Sequence, residues 1–219
     1  MPKLTQTIVL AIGGTTIVPN SLDHEFLHKL YTLVDYLVTE RNLSVVCTVG
    51  GGAIARSYQT AASTFPHISN DDLDQLGITV CTDNTDLVSL ILRPFGNAIQ
   101  INPEYEPFGP GRSSDWIAVT AAKYCQVPEV IFISDIDYIY TDDPVQNPNA
   151  RKYDKTTWTE LEQILDTNWT PGMRTPIDPL AIQTAKAAQL EAQFIHKDAI
   201  HTIRDHLDGK EVVGTHVSM

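Results

Sequence analysis

Twice near its start the chain takes a short uncharged apolar run into consecutive glycines and then into a helical pattern. Residues 4–12 are β-branched and apolar, Gly13-Gly14-Thr15-Thr16 interrupts them, and beyond Asn20-Ser21 the positions Phe26, Leu30, Leu33 and Leu37 recur at helical spacing. Residues 43–49 repeat the arrangement, ending at Gly50-Gly51-Gly52 before a helix whose apolar face reads as Ile54, Tyr58, Ala61, Ala62 and Phe65. Strands alternating with helices suit a parallel sheet, because parallel neighbours need a crossover that a hairpin turn cannot supply. The fold class that follows is α/β, with a mainly parallel central sheet covered by helices on both faces.

A third junction carries the acids. Residues 130–133 are continuously apolar, as a central strand buried on both faces should be, and run directly into Ser134-Asp135-Ile136-Asp137, then Tyr140, Asp143 and Pro144. In open α/β sheets ligands lie beyond the carboxyl ends of such strands. Taken alone, these acids fit turn capping as well as they fit catalysis. Between the second and third junctions come a long helical pattern over 72–92, a short strand over 97–101, and a proline- and glycine-rich loop that ends in Gly111-Arg112-Ser113-Ser114 at the head of a helix over 114–124. The long pattern turns Leu73, Leu76, Val80, Leu87, Val88 and Ile91 inward, with Asp74 nearby and Asn84 on the apolar stripe needing a partner. After a turn-rich stretch, Thr157 and Glu160 form a capping box, and Asp178-Pro179 opens a helix to 190. Strands over 193–196 and 212–217, with a helix over 198–207 between them, complete one domain over 1–219.

The glycine junctions suit an anion. Gly13 and Gly14 lack the Cβ atoms that would hold a ligand off the backbone, and Thr15 adds a hydroxyl. Gly51 and Gly52 leave free N–H groups at the positive end of a helix dipole, and Arg56 stands about one turn further in, where it can clamp phosphate oxygens. The formal charge of −12 and pI near 4.8 argue against nucleic acid or an anionic membrane surface as a partner. With no long apolar segment, a cytoplasmic location is expected. Cys47, Cys81 and Cys125 read as small buried hydrophobes, and His196, His201 and His206 are not spaced to place two on one helical face, so no metal ligands are expected.

In order and spacing, Ile12-Gly13-Gly14-Thr15, the run from Val49 through Gly52 to Arg56 and Tyr58, Asp74-Gln75-Leu76-Gly77, Pro110-Gly111-Arg112-Ser113-Ser114-Asp115, the run from Asp135 to Pro144, Ile177-Asp178-Pro179-Leu180-Ala181, and the run from Gly209 to Thr215 resemble the amino acid kinase superfamily. Within it they are most similar to the archaeal-type uridylate (UMP) kinases, over nearly the whole length. The resemblance implies a three-layer αβα sandwich, ATP and Mg²⁺ carried with it, UMP as acceptor, and self-association as a homohexamer or dimer. It divides the chain into an acceptor-binding lobe over about 1–110 and an ATP-binding lobe over about 111–219. It places Gly13, Gly14, Asp135 and Arg112 at the transferred phosphoryl group. Gly51, Gly52, Arg56, Asp74, Ser113 and Ser114 go to the acceptor, and Thr15, Asp137, Tyr140, Asp143 and Pro144 to ATP.

Three departures stand out. Ala11 occupies a place where many members carry lysine, so another cation is needed, from Arg112, Lys152, Arg174 or the metal. Tyr138 replaces a glycine, and the segment between Leu92 and Pro110 is shorter than in the family. Two other functions follow from these differences: the same chemistry on another small acceptor, or a non-catalytic nucleotide-binding or storage protein. Arg56 favours an acceptor that carries a phosphate.

Overall fold

A computed structural model describes residues 6–106, 109, 111–165 and 170–219. The start of the expected first strand and Pro110 lie outside the described residues. The strands are β1 (Thr7–Ile12), β2 (Ser44–Val49), β3 (Ile99–Ile101), β4 (Glu129–Ser134), β5 (Ile139–Tyr140), β6 (Lys152–Tyr153), β7 (Lys155–Thr157), β8 (Glu191–His196) and β9 (Thr215–Ser218). The helices are α1 (Gly14–Ile17), α2 (His24–Asp35), α3 (Gly52–Ser63), α4 (Asn70–Leu92), α5 (Ser114–Cys125), α6 (Trp158–Ile164), α7 (Pro179–Ala187) and α8 (Ile203–Leu207).

The main sheet has the order β3-β2-β1-β4-β8-β9-β7. Neighbours from β3 to β8 pair in parallel, and β9 runs antiparallel to β8. Alternation along the central strands sends side chains into two cores. Val9, Ala11, Val130, Phe132 and Phe194 meet α5, α6 and α7, with the Phe132 and Phe194 rings stacked 4.7 Å apart. Leu10, Ile12, Ile131, Ile133 and Ile195 meet the helices on the other face, where Phe26, Leu30 and Val88 are buried. This is the expected three-layer sandwich, and it explains why β4 reads as continuously apolar: both of its faces are covered.

The order of strands reverses between β1 and β4, so the two chain segments leaving these strands diverge and open a crevice. The Gly13 N–H donates to Ile133 O at 2.9 Å, and Gly50 N–H to Ile12 O at 3.1 Å, so β1, β2 and β4 end in register at that crevice.

Several local expectations are corrected. The apolar face assigned to α3 is inverted: Ile54, Tyr58 and Phe65 are exposed, whereas Gly52, Ala55 and Gln59 are buried. Close packing against α4 selects the small side there, and the Gln59 amide is satisfied by donating to Leu73 O at 3.0 Å. The helix expected over 198–207 splits into a 3₁₀ turn, Lys197–Thr202, and α8. The last strand begins at Thr215, after an exposed Val213. The short helix α1 and the β5/β6 hairpin carry no periodic signal and were not expected.

Candidate functional site

The first two glycine turns pack backbone against backbone. A Cβ on Gly14 would lie 2.0 Å from Gly52 N, and one on Gly52 would lie 2.4 Å from Gly14 O. Gly52 also has φ +68°, which disfavours any side chain. Gly14 and Gly52 are therefore glycines because the two turns touch, a tertiary reason the local sequence does not reveal. Gly13 is less confined, its added Cβ being 3.2 Å from Ile133 O. Asn84, buried on α4, donates to Gly50 O at 2.8 Å and Gly51 O at 3.3 Å, so the polar residue on the apolar stripe clamps the second turn.

Against these turns the structure brings the head of α5. Ser113 caps the helix, accepting from the Asp115 and Trp116 N–H groups at 3.1 Å, and its hydroxyl donates to the Asp178 carboxylate. Asp178 itself caps α7, accepting from Ala181 N–H at 2.9 Å. Ser114 Oγ lies 3.1 Å from where a Gly50 Cβ would stand. Asp74, on α4, accepts from Gly111 N–H at 2.6 Å and so holds the loop that leads to the serines. Burial, with the neighbouring Asp178 carboxylate, pushes Asp115 up to about 8. Burial likewise raises Asp178. Asp115 and Asp178 were legible only as a helix-head acid and an N-cap; that they form a carboxylate pair depends on α5 packing against α7.

The arginines separate into different settings. Arg56 is lowered by burial and by the nearby Arg174, while Asp135 acts in the opposite sense. The turn that carries Arg174 rests on α3: an added Cβ on Gly172, at φ +75°, would lie 2.9 Å from Gln59 Oε1 and 3.7 Å from Arg56 Cγ. Arg56 from α3, Arg174 from the loop before α7, and exposed Asp135 from the end of β4 thus share one neighbourhood. Arg112 instead stacks over Trp116, 4.5 Å from the ring centre. Lys152 pairs with Asp154 at 2.8 Å and lies 3.9 Å above the Tyr138 ring. That contact accounts for Tyr138, which sits beneath a lysine at the entrance to the β5/β6 hairpin.

The expected ATP-side residues occupy a more open surface. Tyr140 OH donates to Asp137 at 3.2 Å. Asp143 accepts from Val145 N–H at 2.8 Å and Gln146 Nε2 at 2.9 Å, shaping a turn in which Pro144 is exposed. Thr15 lies on α1, half-buried, one residue beyond Gly14. A cavity of about 240 Å³ opens beside the second glycine turn, lined by Cys81, Thr85, Asn102, Ser114 and Thr120. The Thr120 hydroxyl is buried without a hydrogen-bond partner among the described residues. Burial pushes the Cys81 thiol up to about 11, leaving it a neutral lining group. No described helix is long and apolar enough to cross a membrane.

Comparison with known proteins agrees with this arrangement. Residues 102–196 match the model of the amino acid kinase family. The uridylate kinase of Pyrococcus abyssi is 31% identical over 218 residues, covering 93% of this chain and 96% of that protein. The uridylate kinase of Natronomonas pharaonis is 28% identical, covering 96% and 97%. The solved structure of uridylate kinase from Archaeoglobus fulgidus superposes with a TM-score of 0.76 at 21% identity, covering 98% of this chain and all of that one. With the sandwich, its switch point and this extent of similarity established, the chain belongs to the amino acid kinase family.

Proposed function

We propose that the protein is a UMP kinase, transferring the γ-phosphate of ATP to UMP to give UDP and ADP. The observation that carries this reading is the meeting, at the β1/β4 switch point, of two glycine turns with Arg56, Arg174 and Asp135, in a chain whose full-length relatives are uridylate kinases. An acidic protein that gathers two guanidinium groups beside backbone turns offers a seat for a phosphate.

The acceptor phosphate lies on Gly51, Gly52 and Arg56, and the base enters the cavity that contains the unpartnered Thr120 hydroxyl. Asp74 holds the loop before Ser113 and Ser114 and faces the acceptor ribose. Gly13 and Gly14 flank the transferred group, and Thr15, Asp137, Tyr140, Asp143 and Pro144 receive ATP. An oxygen of the UMP phosphate forms the new bond to the γ-phosphorus as the bond to the ADP oxygen breaks, and its electron pair leaves with ADP. Positioning and neutralisation of the phosphoryl oxygens supply most of the acceleration in such transfers. Arg174, rather than Arg112 or Lys152, is the cation that serves in place of a lysine at Ala11, because the other two are engaged at Trp116 and Asp154. Asp135 organises the transfer, and as an exposed carboxylate among phosphate-binding turns it fits the one or two oxygen ligands that Mg²⁺ takes from protein when carried by a nucleotide. That ion supplies charge neutralisation on the nucleotide. Residues 1–110 mainly serve the acceptor and 111–219 the nucleotide, and the exposed Ile54 and Tyr58 on α3, with Phe65 just beyond its end, are suited to self-association as a dimer or hexamer.

A coupled ADP-release assay over a panel of nucleoside monophosphates tests the reading. Turnover should be greatest with UMP and abolished by Asp135→Asn with the fold retained. ATP binding without turnover on any acceptor would overturn it.

A further inference from the structure

At the edge of the sheet opposite the glycine turns, where the parallel strands begin, four side chains from four elements converge. Glu129 and Glu191 open β4 and β8 and stand side by side in register. His216 of β9 pairs opposite Gln193, two residues along β8 and on the same face as Glu191. His206 arrives from α8 with its Nε2 2.7 Å from Glu129 Oε2. His216 Nδ1 is 3.9 Å from Glu129 Oε1, and its Nε2 is 3.8 Å from Glu191 Oε2. One ligand atom from each of Glu129, Glu191 and His216 lies within 4.8 Å of the others.

Like charges abreast on neighbouring strands repel, so this pair of carboxylates requires a counter-charge. His206 answers part of that need through its contact with Glu129. His216 does not close the remainder by hydrogen bonding: its gaps to both carboxylates exceed hydrogen-bond reach. The two gaps lie on opposite nitrogens of one ring, so a single ion uses one of them. One His216 nitrogen and one oxygen from each glutamate lie within 4.8 Å of one another, close to the ~4.2 Å that two metal–ligand bonds of ~2.1 Å span, so a small side-chain rotation brings all three onto one ion. Carboxylate oxygens with imidazole nitrogen, and no thiolate, form a donor set for zinc, cobalt or nickel rather than for Cu(I) or Ca²⁺.

We infer that Glu129, Glu191 and His216, with His206 orienting Glu129, form a binding site for a first-row divalent transition-metal ion that ties β9 to β4 and β8. The antiparallel strand β9 joins β8 through only the pairs Ala192↔Val217, Gln193↔His216 and Phe194↔Thr215, so a cross-link at this corner acts on a short ladder. The sequence hides the site because its ligands lie far apart in the chain and only the sheet register assembles them. The site is structural, and the phosphate-binding turns lie at the other ends of the same strands.

Untagged, chelator-stripped protein without nucleotide should bind one Co²⁺ per chain, with the visible absorption of a low-symmetry N/O site, and zinc should displace it. Zinc in ~100-fold excess over its dissociation constant should raise the melting temperature by ~5 °C. His216→Ala and the conservative Glu191→Gln should each weaken Co²⁺ binding at least ~10-fold and abolish the thermal shift, while melting like the wild type in chelator. Absence of stoichiometric Co²⁺ uptake by the wild type would overturn the inference, as would uptake that both substitutions leave unchanged.

Discussion

The proposed acceptor side and the proposed nucleotide side of the crevice are built by different means. On the proposed acceptor side, distant segments interlock: the backbone of Gly14 on that of Gly52, the Asn84 amide on Gly50 O, and the Ser113 hydroxyl on the Asp178 carboxylate. On the nucleotide side, neighbours in sequence shape an exposed surface, with Asp143 bonded to Val145 and Gln146, and Asp142 to Asn147. Val145 there is 90% exposed. The contrast teaches that one half of the site is held by the fold as a whole and the other by local turn chemistry, so substitutions in the two halves should fail differently.

The sharpest way to break the comparison is Gly52→Ala. Positive φ costs ~1–2 kcal/mol in any other residue, and the clash with the Gly14 carbonyl adds to it, so a loss of ~3 kcal/mol or more is expected in urea unfolding. Gly209, at φ +75° with nothing near its Cβ position, is the control and should lose only ~1 kcal/mol as alanine. Equal losses at the two positions would show that the turn–turn contact carries no energy.

The arginines sharpen the comparison next. Arg56→Ala should raise the KM for UMP ~10–100-fold, the worth of one or two charge-assisted hydrogen bonds, and leave the KM for ATP nearly unchanged. Arg174→Ala should instead lower kcat ~10²–10³-fold, as loss of a transition-state donor does. Steady-state kinetics on both substrates separates the two, and a pure KM effect at Arg174 would assign it to binding alone.

The smallest effect concerns pH. The folded state holds the Asp115 proton to about 8, against an ordinary value of 3.8, so between those limits it binds more protons than the unfolded chain. Stability from this group is therefore full at low pH and lost as pH rises toward 8. The melting temperature should be a few degrees lower at pH 8.5 than at pH 6, and Asp115→Asn should flatten that difference. An unchanged slope in the variant would remove the Asp115–Asp178 pair as its source.

Much of the sandwich was legible because local and global preferences agree. The apolar run 130–133 matches a strand covered on both faces, Thr157 and Glu160 do form a capping box, and Asp178 with Pro179 does open a helix. The face of α3 was misread because the periodic large residues Ile54, Tyr58 and Phe65 point outward, while Ala55 and Gln59 meet α4. Periodicity reports that a face is apolar, and the partner's shape decides which face is covered. Of the site, the glycines, Arg56 and the acids after β4 were visible as types in a pattern, but nothing local distinguished Arg174 from Arg112 and Lys152.

What the sequence by itself determined is the alternation of buried strands, glycine breaks and helices, and with it the class of fold and the sheet edge at which ligands gather. These follow from hydrophobic period and backbone freedom, properties that each segment carries alone. Tertiary structure decided which glycines touch one another, which arginine stands beside Asp135, why Tyr138 is accommodated under Lys152, and that two glutamates and two histidines share a corner. Those outcomes depend on register and packing between segments far apart in the chain, where a contact is set by the position of both partners and is written in neither alone.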